Sequence, residues 1–268
     1  MTILSINYLS GEMLRQIHLK VILPHEEMHE DRTTPPPWRT LYLLNGYTGN
    51  ADYMIWTLDL ERLSAAYGIA IVLPDGENSF YVNHAATHAN YENLVARELV
   101  EVTRKLLPLS DRYEDTWIGG ISMGGFGAMM LGMRHSDTFS KIVALSPACQ
   151  VYGKVGSGFW PELLADIFGT EENYLENYDP TELMLKRHRD GGHMPELFMC
   201  CGTDDLIVYE VCCEMRDRLT AAGVPFVYSE GPGAHLPDYW NDVLPEAAAF
   251  LTGASRFRMQ DEKGDRMI

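Results

Sequence analysis

The chain has 268 residues, 46% hydrophobic and 22% charged, which suits one large α/β domain with a sizeable core and argues against a disordered or fibrous chain. Its 21 basic and 38 acidic residues leave a net charge of −17, which argues against nucleic acid and anionic membranes as partners. No apolar run approaches the ~18 residues of a membrane span, and the opening Met1-Thr2-Ile3-Leu4-Ser5-Ile6-Asn7 lacks the pattern of a secretory signal.

In chain order, short β-rich runs alternate with longer helical patterns, the signature of a mostly parallel central sheet with helices on both faces. Strands are expected at 16–23, 40–44, 69–73, 116–121, 141–145, 197–201 and 226–229. Several are nearly continuous Ile, Val and Leu, as when both faces of a strand are buried. Helices are expected at 55–67, 91–107, 124–135, 208–222 and 239–251. Residues 25–37, charged and then proline-rich, read as an exposed loop. Residues 151–194 carry glycines and two short helical patterns, around 163–168 and 181–187, and read as an excursion covering one wall of a cleft. The expected organisation is a single α/β domain over 1–254 and a flexible charged tail over 255–268.

The five cysteines, Cys149, Cys200, Cys201, Cys212 and Cys213, are odd in number and four are adjacent in sequence. Neighbours in sequence seldom bridge and no zinc-type spacing is present. They read as reduced, buried thiols of a cytoplasmic protein.

The chemistry concentrates in Gly120-Ile121-Ser122-Met123-Gly124-Gly125. This is G-x-S-x-G after an expected strand and before an expected helix, the context of a nucleophile elbow on an α/β-hydrolase fold. A serine on so sharp a turn is strained and exposed, and the residues two places either side must be small because strand and helix nearly touch. A hydroxyl needs a base to become a nucleophile. In this fold the order is Ser, then acid, then His. His235, in Gly231-Pro232-Gly233-Ala234-His235, follows an expected strand. The acid lies in Cys201-Gly202-Thr203-Asp204-Asp205, after another. Asp205 is preferred because a G-x-x-D turn points its last residue back over the strand end. Asp204 is then a solvated turn residue or a helix cap. The loop Leu44-Asn45-Gly46-Tyr47 follows the strand at 40–44, so the main-chain amides of Tyr47 and Met123 are expected as the oxyanion donors. The reading requires no cofactor and no metal, and it predicts a rate that falls on acidification as His235 gains a proton.

The segments Leu43-Leu44-Asn45-Gly46-Tyr47-Thr48-Gly49-Asn50, Pro74-Asp75-Gly76-Glu77-Asn78-Ser79-Phe80-Tyr81, Gly120–Ala128 and Cys201–Asp205 resemble the tributyrin esterase group of the putative esterase family. That family includes S-formylglutathione hydrolases and feruloyl and acetyl-xylan esterases. The resemblance spans residues 17–251 and implies hydrolysis of short-chain acyl or aryl esters, small-molecule substrates, without a cofactor. It also implies that Gly46, Ser79 and Tyr81 line the substrate pocket, and Trp56 and Trp160 are candidates for its apolar walls. Relatives usually carry His-Gly at the oxyanion loop, whereas this chain has Asn45-Gly46.

Three rivals remain. His25-Glu26-Glu27-Met28-His29 matches the zinc-peptidase pattern H-E-x-x-H, with His25 and His29 as ligands and Glu26 as base. Pro24 before it and Pro35-Pro36-Pro37 after it leave no long helix to carry that pattern. An acyltransferase would use the same triad and oxyanion hole with an alcohol in place of water. A non-catalytic binding protein on this scaffold is expected to show a broken triad, and none of its members is missing here. Nothing in the sequence argues against a homo-oligomer.

Overall fold

A computed structural model describes residues 2–24, 34–152 and 161–254. The H-E-x-x-H residues His25, Glu26 and His29, the candidate wall residue Trp160 and the tail 255–268 lie outside the described residues.

The chain opens with β1 (Thr2–Ser10) and β2 (Arg15–Leu23), paired antiparallel. It continues through β3 (Arg39–Leu44), α1 (Ala51–Thr57), α2 (Leu60–Tyr67) and β4 (Ile69–Pro74). A two-residue hairpin of β5 (Asn83–His84) and β6 (Ala89–Asn90) precedes α3 (Tyr91–Asn93), a π turn (Leu94–Glu98) and α4 (Leu99–Leu106). Then come β7 (Thr116–Ile121), α5 (Met123–Arg134) and β8 (Lys141–Leu145). The excursion supplies α6 (Pro161–Phe168), α7 (Glu171–Asn177) and α8 (Pro180–Arg189). Last are β9 (Glu196–Gly202), α9 (Tyr209–Ala221), β10 (Val227–Gly231) and α10 (Pro237–Thr252). β1, α7 and the small hairpin have no counterpart among the expected elements.

The main sheet runs β1-β2-β4-β3-β7-β8-β9-β10. β2 is antiparallel to β4, and from β4 to β10 neighbours are parallel. Side chains alternate across a strand, so each central strand feeds two cores. In β3, Tyr42 and Leu44 enter the core shared with α4, α5 and α9, while Leu41 and Leu43 enter the one shared with α1, α2 and α10. The same alternation explains the cysteine pair in β9: Cys201 joins the first core and Cys200 the second. All five cysteines are free thiols, with Cys213 half-buried and the rest buried. Burial pushes the Cys200 thiol up to about 12.

The expected helix at 55–67 is two helices. Asn50 caps α1 by accepting from the Tyr53 N–H (2.8 Å), and Leu58 leaves the helix in an extended conformation. Asn241 of α10 stitches the break: its Oδ1 accepts from the Asp59 N–H and its Nδ2 donates to the Thr57 carbonyl, both at 2.8 Å. The groups orphaned by a helix end thus find a tertiary partner. No helix among the described residues is long and apolar enough to cross a membrane.

Candidate active site

Because the central strands are parallel, their carboxyl ends share one edge of the sheet, where ligand-facing loops of an open α/β fold emerge. β3 delivers Asn45–Tyr47 there, β7 delivers Ser122, β9 leads to Asp205 and β10 to His235.

Ser122 stands between β7 and α5 at φ 56, ψ −116. Its N–H donates to the Leu145 carbonyl and its own carbonyl accepts from Phe126 and Ala148, each at 3.0 Å. Neighbouring backbone therefore holds the strained residue in place. A Cβ at Gly120 would strike the backbone of Gly124, and one at Gly124 would strike the carbonyls of Leu44 and Asn45. The elbow and the loop after β3 thus touch through bare backbone. Gly124→Ala is expected to destabilise the fold by about 3 kcal/mol or more through this overlap. Urea denaturation checks it, and an unchanged midpoint would show that the loop yields freely.

His235 Nδ1 lies 2.6 Å from Asp205 Oδ2. Asp205 is 2% exposed, and its other oxygen, Oδ1, accepts from the Ile207 and Val208 N–H groups at 3.0 Å each. Burial alone would raise its carboxyl, but the hydrogen bond and charge of His235 and those two N–H groups outweigh it and hold it below the usual range. Neither aspartate caps α9, whose N-cap position is Val208; Asp205 Oδ1 instead holds the turn that leads into the helix. Asp204 is the exposed turn residue, and it clamps the histidine loop: Oδ2 accepts from the Gly233 N–H (3.0 Å) and its own N–H donates to the Gly233 carbonyl (2.9 Å). Thr203 N–H donates to the Gly231 carbonyl at 2.8 Å. The Asp205 loop and the His235 loop are stapled together.

Trp240 meets the His235 ring edge-on, with centroids 5.2 Å apart, and its Nε1 donates to Ser146 Oγ at 3.1 Å. Sequence reasoning missed this buttress. The available signal was a tryptophan in the first turns of the helix that follows the histidine.

Two cavities meet at Ser122, His235 and Tyr47, which line both. The larger, about 270 Å³, is walled by Gly46, Thr48, Tyr53, Met54, Thr57 and Leu58 among others. The smaller, about 180 Å³, is walled by Phe80, Met123, Ala148 and Ile207. Of the residues expected at the pocket, Gly46 walls the larger cavity.

Three other residues expected at the pocket, Trp56, Ser79 and Tyr81, stand elsewhere. Trp56 is 83% exposed and lines neither cavity, because α1 turns Ala51 and Met54 inward and leaves Trp56 on its outer face. Ser79 and Tyr81 also line neither. Ser79 Oγ spans its own turn, donating to the Gly76 carbonyl (2.7 Å) and accepting from the Tyr81 N–H (3.0 Å). Tyr81 is fully buried beneath Asn45. Phe80 between them takes the wall position. The excursion packs against it: Phe168 lies on Phe80 with centroids 5.6 Å apart. No cluster of three or more His, Cys, Asp or Glu side chains among the described residues is arranged to hold a metal.

The family model described as Putative esterase matches residues 10–251. A protein named Acetyl esterase from Caldicellulosiruptor saccharolyticus is 31% identical over 271 residues, covering 95% of this chain and all of that protein. Two solved Staphylococcus aureus structures share 27% identity with this chain. The fluorophosphonate-binding serine hydrolase FphF matches with a TM-score of 0.81 over 94% of this chain and 98% of its own. The S-formylglutathione hydrolase FrmB matches with a TM-score of 0.74 over 94% and 96%. The chain therefore belongs to the Putative esterase family and is a serine ester hydrolase on an α/β-hydrolase fold.

Proposed function

We propose that Ser122, His235 and Asp205 act as nucleophile, base and orienting acid in the hydrolysis of short-chain acyl or aryl esters, with the Tyr47 and Met123 amides binding the oxyanion. The observation that carries this reading is the 2.6 Å pairing of His235 Nδ1 with buried Asp205, at the meeting point of the cavities that Ser122 lines. With Nδ1 engaged, Nε2 is the nitrogen left to serve Ser122. Ser122 Oγ attacks the ester carbonyl carbon as Nε2 takes its proton, and Asp205 stabilises the imidazolium. The tetrahedral oxyanion accepts from Tyr47 and from Met123. Met123 opens α5, where helix geometry leaves the N–H without an intrahelical partner. Collapse expels the alcohol with the proton from His235, and water then releases the acid by the same path in reverse.

The smaller cavity, walled by Phe80, Met123, Ala148 and Ile207, is assigned to the acyl chain. The larger one, with Thr48 and Thr57 in its wall, is assigned to the alcohol or aryl group. The acetyl esterase relative supports a short acyl group, as does the resemblance to tributyrin esterases. Each methylene that does not fit such a pocket costs roughly tenfold or more in kcat/KM. The p-nitrophenyl acetate and butyrate esters are therefore expected to lead octanoate by at least about tenfold in kcat/KM. A lead for octanoate would remove the smaller cavity as the acyl site.

A further inference from the structure

Asn45 is fully buried, and every polar atom of its side chain is engaged. Nδ2 donates to the carbonyls of Gly46 and Gly49, both at 2.9 Å. Oδ1 accepts from the Gly76 N–H at 2.8 Å. The Tyr81 hydroxyl lies 2.9 Å from the Asn45 carbonyl oxygen and 3.1 Å from Oδ1, one proton shared between two acceptors. Burial pushes the Tyr81 phenol well above its usual value, so it remains a donor. The turn that presents Tyr81 is itself strained, with Phe80 at φ 50 and Tyr81 at φ 58. One place beyond Tyr47, the Thr48 N–H donates to Asn78 Oδ1 at 2.8 Å.

These bonds converge on one peptide unit. A trans peptide is planar, so the Gly46 carbonyl and the Tyr47 N–H point in opposite directions. The Gly46 oxygen is held by two donors, Asn45 Nδ2 and, at 3.0 Å, the Gly49 N–H. Holding that oxygen sets the aim of the Tyr47 N–H. A Cβ at Gly46 would lie 3.3 Å from the Ile121 carbonyl and 3.4 Å from Ser122 Cβ, so the peptide lies against the nucleophile. An oxyanion donor acts through its preset direction, because reorienting it during the reaction would cost the stabilisation it supplies.

We propose that Asn45, braced beneath by Tyr81 and across Thr48 by Asn78, is the positioning residue that aims the Tyr47 amide at the oxyanion. The inference rests on that amide being an oxyanion donor. Neither Asn45 nor Tyr81 touches the substrate. Their effect belongs to the transition state and not to ground-state binding.

The decisive variant is Tyr81→Phe, which keeps the ring packed against Gly76 and Gly127 and removes one oxygen. With p-nitrophenyl acetate, kcat is expected to fall about 10- to 100-fold while KM changes by less than about threefold. A trifluoromethyl ketone, whose adduct with Ser122 carries the oxyanion, is expected to lose affinity by the factor lost from kcat/KM. A brace that served stability alone would lower Tm and leave that proportionality absent. Asn78→Ala is the companion, since Asn78 is exposed and its loss does not threaten the core. Its kcat is expected to fall severalfold at unchanged Tm. Wild-type kcat in either folded variant, a loss confined to KM, or unchanged ketone affinity in Tyr81→Phe would overturn the proposal. If wild type bound the ketone no better than Ser122→Ala does, the underlying reading of Ser122 would fall instead.

Discussion

Ser122→Ala is expected to lower kcat for p-nitrophenyl acetate by about 10⁴- to 10⁶-fold. Alanine keeps the Cβ and the backbone demand of φ 56 and removes only the oxygen. Its Tm should stay within ~2 °C of wild type, as for a substitution that leaves packing intact. The loss is therefore chemical and not a loss of fold. His235→Ala should cost nearly as much, and the double variant little more than either alone, because nucleophile and base act as a unit. What remains, about 10³- to 10⁴-fold above water, belongs to the oxyanion amides and the cavities. Wild-type hydrolysis should also be indifferent to a chelator. A rate that survived in Ser122→Ala and fell on chelation would discard Ser122 and direct attention to His25, Glu26 and His29.

The parts of this site that are legible in sequence are those set by local geometry. Gly120 and Gly124 announce the elbow because two backbones must nearly touch there, and the contacts a Cβ would make at either position are the physical content of the motif. The preference for Asp205 over Asp204 follows from the turn after β9. What stays hidden depends on distant partners. The clamp between Asp204 and Gly233 joins residues 29 apart in sequence, and the break between α1 and α2 is stitched by Asn241, 182 positions from Asp59. Tryptophan at 56 reads as a pocket wall only while the inward face of its helix is unknown. Met54, two residues earlier, takes the inward place.

Tyr81 shows a second kind of illegibility. Its motif, Asn78-Ser79-Phe80-Tyr81, is contiguous, and the resemblance implied that Ser79 and Tyr81 face substrate. Positive φ at both Phe80 and Tyr81 breaks the ordinary alternation of side chains. Phe80 then reaches the cavity while Tyr81 turns beneath Asn45. The departure at Asn45 is visible in sequence, but its consequence is not. A buried amide that uses all its hydrogen-bonding capacity on two loops is recognisable only once both loops are placed.

Asp205→Asn is expected to lower kcat by about 10⁴-fold, and Asp204→Asn by about tenfold at most, the worth of one exposed hydrogen bond. The difference comes from where each oxygen points. Asp205 Oδ1 accepts two main-chain N–H groups, so an asparagine there must keep its carbonyl oxygen on them and turn its NH2 toward His235. The imidazole Nδ1 then has to accept, its proton moves to Nε2, and the ring can no longer take a proton from Ser122. Asp204 only receives the Gly233 N–H, which an asparagine oxygen still accepts. The pH behaviour carries the same sign. Asp205 is held below its unfolded value, so the stability it contributes is present above about pH 4 and is lost as pH falls through the lower folded value. The Tm gap between wild type and Asp205→Asn should therefore close on acidification below that range. A larger kcat loss in Asp204→Asn would reverse the assignment, because the orienting oxygen would then belong to the exposed residue and the buried one would serve only the entry to α9.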